Sequence, residues 1–222
     1  ERHLLMLTLH HIIADGWSLG VLLREAAGIY AVLTQGQTPE TTPLKIQYRD
    51  YAAWQETLLA DGSLKDQEVY WAQKLAGGLP VLELPTDRER PVIQTTHGAV
   101  HRFSLDPALT EKVRTLAKRH DATLFMLLLS AFGVTLQKLS QQEDIIVGSP
   151  IAGRNHPDLE GLIGFFVNMV AMRLDLSGDI RFSDLLAQVK QTALEAYAHQ
   201  AINRSDLDRR AGDEHAEPDS RG

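Results

Sequence analysis

The sequence predicts a mixed fold of α-helices and β-strands, of the α/β or α+β class. Short apolar runs of strand length alternate along the chain with stretches in which apolar residues recur at helical spacing. Of the 222 residues, 44% are hydrophobic and 23% are charged, as in an ordinary globular protein that buries a large core. We therefore expect a folded protein and not a fibrous or wholly disordered chain.

The first part of the chain predicts one strand and three helices. Residues 4–9 have the length and composition of a strand that is buried on both faces. Ser18 is expected to cap a helix whose apolar positions follow the helical period, and Gly36 is expected to end it. Two further helical stretches contain Trp54 and Trp71.

The later part of the chain predicts three helices and three strands. Asp106 has the side chain of a helix cap, with Pro107 at the first helical position, and Thr123 is expected to cap a buried helix. The expected elements are a strand over residues 98–105, a helix from residue 107, a helix over 124–139, strands over 144–148 and 165–174, and a helix over 182–200.

Residues 79–91 mark a predicted boundary within the chain. They contain three prolines and a cluster of charged residues, and proline prevents a continuous helix. We expect one region over residues 1–90 and a second over residues 91–202. Residues 203–222 contain a single leucine and no aromatic side chain, so that we expect a disordered tail that buries too little apolar surface to fold.

Composition excludes several classes of function. The 22 Lys and Arg against 29 Asp and Glu give a net charge of −7 without a basic stripe, which argues against a nucleic-acid partner. The most apolar run, residues 124–136, is shorter than the ~20 residues that span a bilayer, so that we predict no membrane segment. The absence of cysteine excludes disulfides and thiolate metal sites and suits a cytoplasmic protein. Because the chain begins at Glu1 and not at methionine, we expect a piece of a longer protein.

The most informative segment for chemistry is HHIIADG, residues 10–16, at the end of the first predicted strand. Neighbours on a strand point to opposite faces, so that only one of His10 and His11 faces a given cavity. An imidazole is the commonest general base, and a carboxylate such as Asp15 either orients that ring or holds a turn by pairing with an arginine. Gly16 permits a sharp exit of the chain or the close approach of a substrate. Taken alone, one histidine in the core and one on the surface, without a chemical role, explain this pattern equally well.

A metal centre is a weaker interpretation of the same residues. Two adjacent histidines on a strand cannot bind one ion from one face, and the sequence lacks the His-x-His and His-Glu-x-x-His spacings of metal hydrolases. We therefore predict that no metal is bound.

The chain resembles the condensation domains of non-ribosomal peptide synthetases. Residues 10–18, HHIIADGWS, are similar to the active-site signature of that family. The active-site motif alone is shared with other acyltransferases, but the ordered set of matches is specific and covers about residues 3–200. The further matches are residues 48–55 (YRDYAAWQ), 70–71 (YW), 84–91 (LPTDRERP), 146–154 (IVGSPIAGR) and 162–168 (LIGFFVN).

The resemblance implies two chloramphenicol-acetyltransferase-like lobes in a V shape. Residues 1–90 would form the C-terminal part of a truncated first lobe with the active-site motif, and residues 91–202 an incomplete second lobe. The implied reaction is peptide (amide) bond formation between aminoacyl or peptidyl thioesters in a tunnel between the lobes. The substrates would be carried on the 4'-phosphopantetheine of donor and acceptor carrier domains, beside an adenylation domain, and no cofactor would be bound directly.

The resemblance also implies roles for individual residues. His11 matches the catalytic second histidine, which acts as general base or positions the amine. Asp15 matches a mainly structural position that pairs with an arginine, expected in upstream motifs absent from the chain, and Gly16 matches the glycine at the reacting centre. Asn168 is expected to be a polar group of the second lobe near the tunnel. Residues 161–168 are most similar to the subtype that joins an L-donor to an L-acceptor.

The departures from the family pattern also bear on the polypeptide itself. Without the upstream motifs, the 222 residues alone are expected to be inactive. The sequence diverges from the family pattern after Gln200. The alternatives are a non-catalytic module that docks or gates carrier domains and another acyltransferase of the same superfamily.

Overall fold

The structure, a computed structural model, describes residues 3–88, 91, 93, 95 and 97–202. These residues form a mixture of α-helices, one 3₁₀ turn and a two-stranded sheet, so that the predicted mixed class is confirmed. In chain order the elements are the 3₁₀ turn His11–Ile13, α1 Gly16–Leu33, α2 Tyr48–Ala60, α3 Lys65–Lys74, α4 Pro107–Arg119, α5 Leu124–Ser140, β1 Asp144–Ile151, α6 Pro157–Glu160, β2 Asn168–Asp175 and α7 Phe182–Ala198.

The described residues divide into two compact units that alternate along the chain. The first unit contains residues 3–70, 150–170 and 200–202, and the second contains the described residues of 71–149 together with 171–199. The two predicted regions are instead continuous segments that meet at residue 90. Their assignment to the lobes of the family stays a prediction.

The second unit has its core around α5. This helix packs against α4 and α7, and both α5 and α7 contribute several buried side chains. Gly133 allows the close approach of β2, because a Cβ there would lie 2.8 Å from the Cδ1 atom of Leu174. The fully or almost fully buried side chains of this unit include Ile145, Met172, Leu174, Leu185, Leu186, Val189, Ala193 and Ala196.

Local capping explains where several helices begin. The Asp106 side chain accepts a hydrogen bond from the Leu109 backbone N–H, and Pro107 follows at the first helical position. Thr123 accepts from the Met126 N–H in the same way, and the chain leaves α5 through Gln141 in the left-handed conformation, with φ of 59°. The predicted caps at Asp106 and Thr123 are therefore confirmed.

Two predicted strands are wrong. Residues 4–9 and 98–105 contain no strand, and all of them except the half-buried Leu9 are exposed, with Leu4 at 89% and Val100 at 80% exposure. An extended segment becomes a strand only when another backbone accepts its hydrogen bonds, and among the described residues only β1 and β2 are paired. The apolar pattern of these segments was correct for a strand, but the described part of the chain offers them no partner.

The strand predicted over residues 165–174 begins later, at Asn168. Residues 164–166 direct their backbone groups to α1 and α2 and not to a neighbouring strand. The helices with Trp54 and Trp71 are confirmed as α2 and α3, and the helix predicted over residues 182–200 as α7.

The predicted disordered tail, residues 203–222, lies outside the described residues. Among those described, no single helix has both the length and the apolar character needed to cross a bilayer, although α4 and α5, bent by 104°, meet that criterion when taken together.

Candidate active site

Asp15 caps α1 and thereby positions the segment that carries the two histidines. Its Oδ1 atom accepts a hydrogen bond from the Ser18 backbone N–H at 2.8 Å, and the helix begins at Gly16. The predicted cap at Ser18 is therefore wrong, because Asp15 lies three residues earlier and its carboxylate already satisfies that N–H. The φ of Gly16 is not positive. A Cβ on this residue would meet no atom within 4 Å, so that the space next to its Cα atom is open.

His10 and His11 have different surroundings. The chain turns at this point into the 3₁₀ turn, and the Nδ1 atom of His10 accepts a hydrogen bond from the Ile12 N–H at 3.1 Å. The His11 side chain is exposed and lies edge-on against the Phe165 ring, with 5.4 Å between ring centroids and 82° between planes. None of the hydrogen bonds recorded among the described residues uses the His11 ring, which leaves its nitrogens available for proton transfer.

Asp15 and Arg154 form a buried ion pair. The Arg154 Nη2 atom is 3.3 Å from the Asp15 Oδ1 atom, and the two side chains are 1% and 0% exposed. The guanidinium lies over the Phe166 ring, 3.9 Å from its centroid, and it also donates to the carbonyls of Leu159 and Leu162. The arginine was expected upstream of the chain, and that expectation is wrong. Its position at the end of the matched segment 146–154 was the available signal.

Ser18 connects the same pair to the segment that precedes β2. Its hydroxyl donates to the Gly164 carbonyl at 2.8 Å and accepts from the Gly164 N–H at 3.1 Å and from Arg154 Nη2 at 2.8 Å. The second carboxylate oxygen of Asp15 accepts from the Phe166 N–H at 3.1 Å. Sequence reasoning missed this role of Ser18, because a small polar residue in the first helical turn indicates a cap more often than a long-range contact.

The charge of Asp15 is stabilised by these contacts. Burial raises the pKa of Asp15, but hydrogen bonds from Ser18 and Phe166 and the charge of Arg154 outweigh burial and hold the pKa below its ordinary value. Asp15 therefore remains a carboxylate. It makes no recorded contact with the His11 ring within the described residues, so that its observed contacts stabilise the fold of the site.

Side chains of helix α2 pack against the segment at residues 164–166. The Tyr48 hydroxyl donates to the Phe165 carbonyl at 2.8 Å, and burial raises the pKa of Tyr48 so that it stays protonated. Tyr48 and Tyr51 pack against the Phe166 ring at centroid distances of 5.1 and 4.7 Å. Gly164 is required here, because a Cβ would lie 2.1 Å from the Tyr48 ring.

A cleft of about 540 Å³ lies within the first unit. Aromatic side chains of α2, together with Phe165 and Phe166, form much of its wall, and Asn168 also lines it. The Asn168 amide donates to the carbonyls of Gln200 at 2.7 Å and Ile202 at 3.0 Å, which attaches residues 200–202 to this unit. Its role near a substrate tunnel stays a prediction.

Trp17 packs against α6, and the acidic and histidine side chains of the described residues form no metal-type cluster. The Trp17 indole donates to the Glu160 carbonyl at 2.9 Å, which agrees with a packing role. In the described ranges, no group of three or more His, Cys, Asp or Glu side chains is arranged to hold a metal ion.

Replacement of Asp15 by Asn is expected to lower the free energy of unfolding at pH 7 by about 3–5 kcal/mol, because Arg154 then remains buried without its counter-charge. The pKa of Asp15 is lowered in the folded state, so that its contribution is present above the unfolded pKa of about 3.9 and is lost as the pH falls below it. Urea unfolding from pH 7 to pH 3 should therefore show the two proteins converging in acid.

The exposed carboxylate of Asp121, paired with Lys190, provides the control for that series. Asp121→Asn should change the unfolding midpoint little at any pH. A difference between the wild type and Asp15→Asn that stays constant down to pH 3 would contradict the assigned protonation of Asp15.

Replacement of Gly153 by Ala is expected to destabilise the protein by about 3 kcal/mol or more. Gly153 has a φ of +64°, and a Cβ would lie 1.9 Å from the Phe166 carbonyl oxygen, so that the backbone itself must move. Gly161→Ala is the control, since its φ is −88° and its Cβ would make an ordinary 3.5 Å contact with Leu44. Equal urea midpoints for the two variants would show that the Gly153 turn is not constrained as described.

Comparison with known proteins gives this site a family. A family model described as "Condensation domain" matches residues 1–220. A component of the linear gramicidin synthase of Brevibacillus parabrevis is 50% identical over 202 residues, which are 91% of this chain and 3% of that protein. A structure of the X-domain from teicoplanin biosynthesis in complex with OxyB matches with a TM-score of 0.81 and 29% identity, over 90% of this chain and 45% of that chain.

A further solved structure is a four-domain nonribosomal peptide synthetase bound to AMP and glycine. It matches with a TM-score of 0.79 and 28% identity, over 90% of this chain and 15% of that chain. The chain thus spans a small part of the curated relative and about half of the X-domain structure. The family model covers nearly all of the sequence and the folds agree, so that the chain belongs to the condensation-domain family of non-ribosomal peptide synthetases.

Proposed function

We propose that this chain contributes the catalytic histidine of a condensation domain that forms a peptide (amide) bond between carrier-bound aminoacyl or peptidyl thioesters. The observation that carries the proposal is the different use of the two histidines. His10 holds the turn through Ile12, whereas the His11 imidazole is exposed and makes no recorded hydrogen bond within the described ranges. Membership of the condensation-domain family supports the same assignment.

The proposed reaction needs one proton transfer and no change of oxidation state. The lone pair of the acceptor amine attacks the thioester carbonyl carbon, the C–S bond breaks, and the leaving thiolate takes up a proton while the amine loses one. His11 either accepts the amine proton as general base or orients the amine for attack. Because a thiolate is a good leaving group, a positioned imidazole and correct alignment of the substrates suffice for this chemistry.

The other site residues have supporting roles in this proposal. Asp15 stabilises the turn through Arg154, and the open space next to Gly16 allows the reacting thioester to approach the backbone. Asn168 contributes to the wall of the cleft near the substrate path.

The proposed partners are donor and acceptor carrier domains and a neighbouring adenylation domain. The 4'-phosphopantetheine arm belongs to the carriers and arrives with the substrate, so that the chain itself binds no cofactor. This assignment places the protein in the cytoplasmic biosynthesis of a peptide secondary metabolite such as an antibiotic. The name of the gramicidin synthase relative supports this context.

A docking module is the second candidate. The X-domain structure was solved in complex with another protein, OxyB, and is 29% identical to this chain. A module of that kind would bind its partner without using His11, so that replacement of His11 separates the two candidates.

Replacement of His11 by Ala in the full-length protein is expected to lower amide formation by at least about a hundredfold, the usual contribution of a general base. The melting temperature should stay unchanged, because the His11 side chain is exposed and makes no recorded hydrogen bond among the described residues. The measurement is single-turnover amide formation from loaded donor and acceptor carriers. His10→Ala is the matched variant, and it should act through stability because it removes the acceptor of the Ile12 N–H.

Equal rates for His11→Ala and the wild type would favour the docking module and refute the catalytic assignment. The 222-residue chain by itself is expected to form no amide, since it spans about half of the related X-domain. Amide formation by this chain at the rate of the full-length protein would contradict that expectation.

The proposed stereochemistry is an L-donor joined to an L-acceptor, from the resemblance of residues 161–168. A donor carrier loaded with the L-enantiomer of one amino acid should react at least tenfold faster than one loaded with the D-enantiomer. A tenfold ratio corresponds to a difference of about 1.4 kcal/mol between the two transition states. Chiral analysis of the product is the measurement. A faster reaction with the D-donor would contradict the assigned subtype and leave the proposed reaction intact.

A further inference from the structure

The His11 ring is restrained by an aromatic neighbour. Its centroid lies 5.4 Å from that of Phe165, with the planes at 82°. This edge-to-face geometry is favourable because the positive edge of one ring meets the negative face of the other. Since no recorded hydrogen bond among the described residues holds the imidazole, the contact with Phe165 is the observed restraint on its direction.

The backbone of Phe165 is fixed on both sides by side chains of the same site. Hydrogen bonds reach the preceding residue, Phe165 itself and the following residue, so that the direction of its Cα–Cβ bond is determined. The bonds join Gly164 to Ser18 and to the Asp15 N–H, the Phe165 carbonyl to the Tyr48 hydroxyl at 2.8 Å, and the Phe166 N–H to the Asp15 carboxylate at 3.1 Å.

Both members of the aromatic pair are anchored at the same helix cap. His11 precedes Asp15 by four residues, and Phe165 is held beside Asp15 through the bonds of its neighbours. The Phe165 side chain is 39% exposed, whereas Phe166 beside it is 3% exposed and fills the core with Leu159 and Leu162. The core therefore uses the second phenylalanine, and the ring of the first is directed to His11.

We infer that Phe165 is a positioning residue for the His11 imidazole. The inference rests on the proposed function of His11, and it assigns Phe165 no contact with the substrate. The edge-to-face contact holds the imidazole in the direction in which it meets the attacking amine. Loss of the contact leaves the fold intact and allows the ring to sample unproductive directions.

The test uses Phe165→Leu and Phe165→Tyr, with Phe103→Leu as the matched control. Phe103 is an exposed phenylalanine that stacks on His101 at 6.1 Å, so that the same substitution removes a histidine–phenylalanine contact elsewhere. The first readout is the ¹³C relaxation of the histidine Cε1–H groups, with the His11 signal assigned by its absence in His11→Ala. The second readout is kcat and KM for the loaded acceptor carrier in the full-length protein.

Phe165→Leu should increase the mobility of the His11 ring and lower kcat by about tenfold with an unchanged KM, given the strength of an aromatic pair. The melting temperature should fall by no more than a few degrees. Phe165→Tyr should keep the mobility of the His11 ring and kcat at their wild-type values. Phe103→Leu should likewise change neither the mobility of the His11 ring nor kcat.

Unchanged mobility of the His11 ring in Phe165→Leu would overturn the inference, as would an equal loss of kcat in Phe165→Tyr and Phe165→Leu. A wild-type protein that forms no amide, together with a more mobile His11 ring in Phe165→Leu, would refute the proposed function and support the positioning contact. The two failures are therefore distinguishable.

Discussion

The site depends on the buried ion pair between Asp15 and Arg154. The two residues are 139 positions apart in the sequence, and their side chains are almost completely excluded from solvent. Burying two charges costs several kcal/mol for each ion unless hydrogen bonds satisfy the remaining donors and acceptors. Here the carboxylate accepts hydrogen bonds from the backbone N–H groups of Ser18 and Phe166, and the guanidinium donates to backbone carbonyls, so that directional bonds compensate most of the pair. The Arg154 Nε atom is buried and has no hydrogen-bond partner among the described residues.

Directional bonds fix the position of one segment along another more strictly than an apolar cluster would. A hydrophobic contact tolerates small shifts of one segment along another, whereas the bonds of Arg154 to Asp15, Ser18 and the carbonyl of Leu162 fix both distance and angle. The segment at residues 153–166 therefore has one register against α1. Gly153 and Gly164 complete this arrangement, because the missing Cβ leaves room for the Phe166 carbonyl beside Gly153 and for the Tyr48 ring beside Gly164.

The features that the sequence predicted well depend on neighbouring residues. Local spacing predicted the caps at Asp106 and Thr123 and the helices that contain Trp54 and Trp71. The structure confirms these four features. Most failures depend on distant residues, although the cap predicted at Ser18 failed because of Asp15, only three residues away. Residues 4–9 have the pattern of a strand but no partner strand in the described chain. The arginine that pairs with Asp15 was expected upstream, although Arg154 is the last residue of the matched segment 146–154.

Asp15 and His11 differ in their surroundings within the described residues. A carboxylate that accepts two backbone N–H groups and faces a guanidinium is stabilised in its charged form, and such a group is a poor acceptor for a further proton. The imidazole four residues earlier is exposed and lacks those contacts in the described structure, so that its ring nitrogens stay accessible to a substrate. The buried pair therefore fixes the start of α1, and the role proposed for His11 uses the exposed segment just before it.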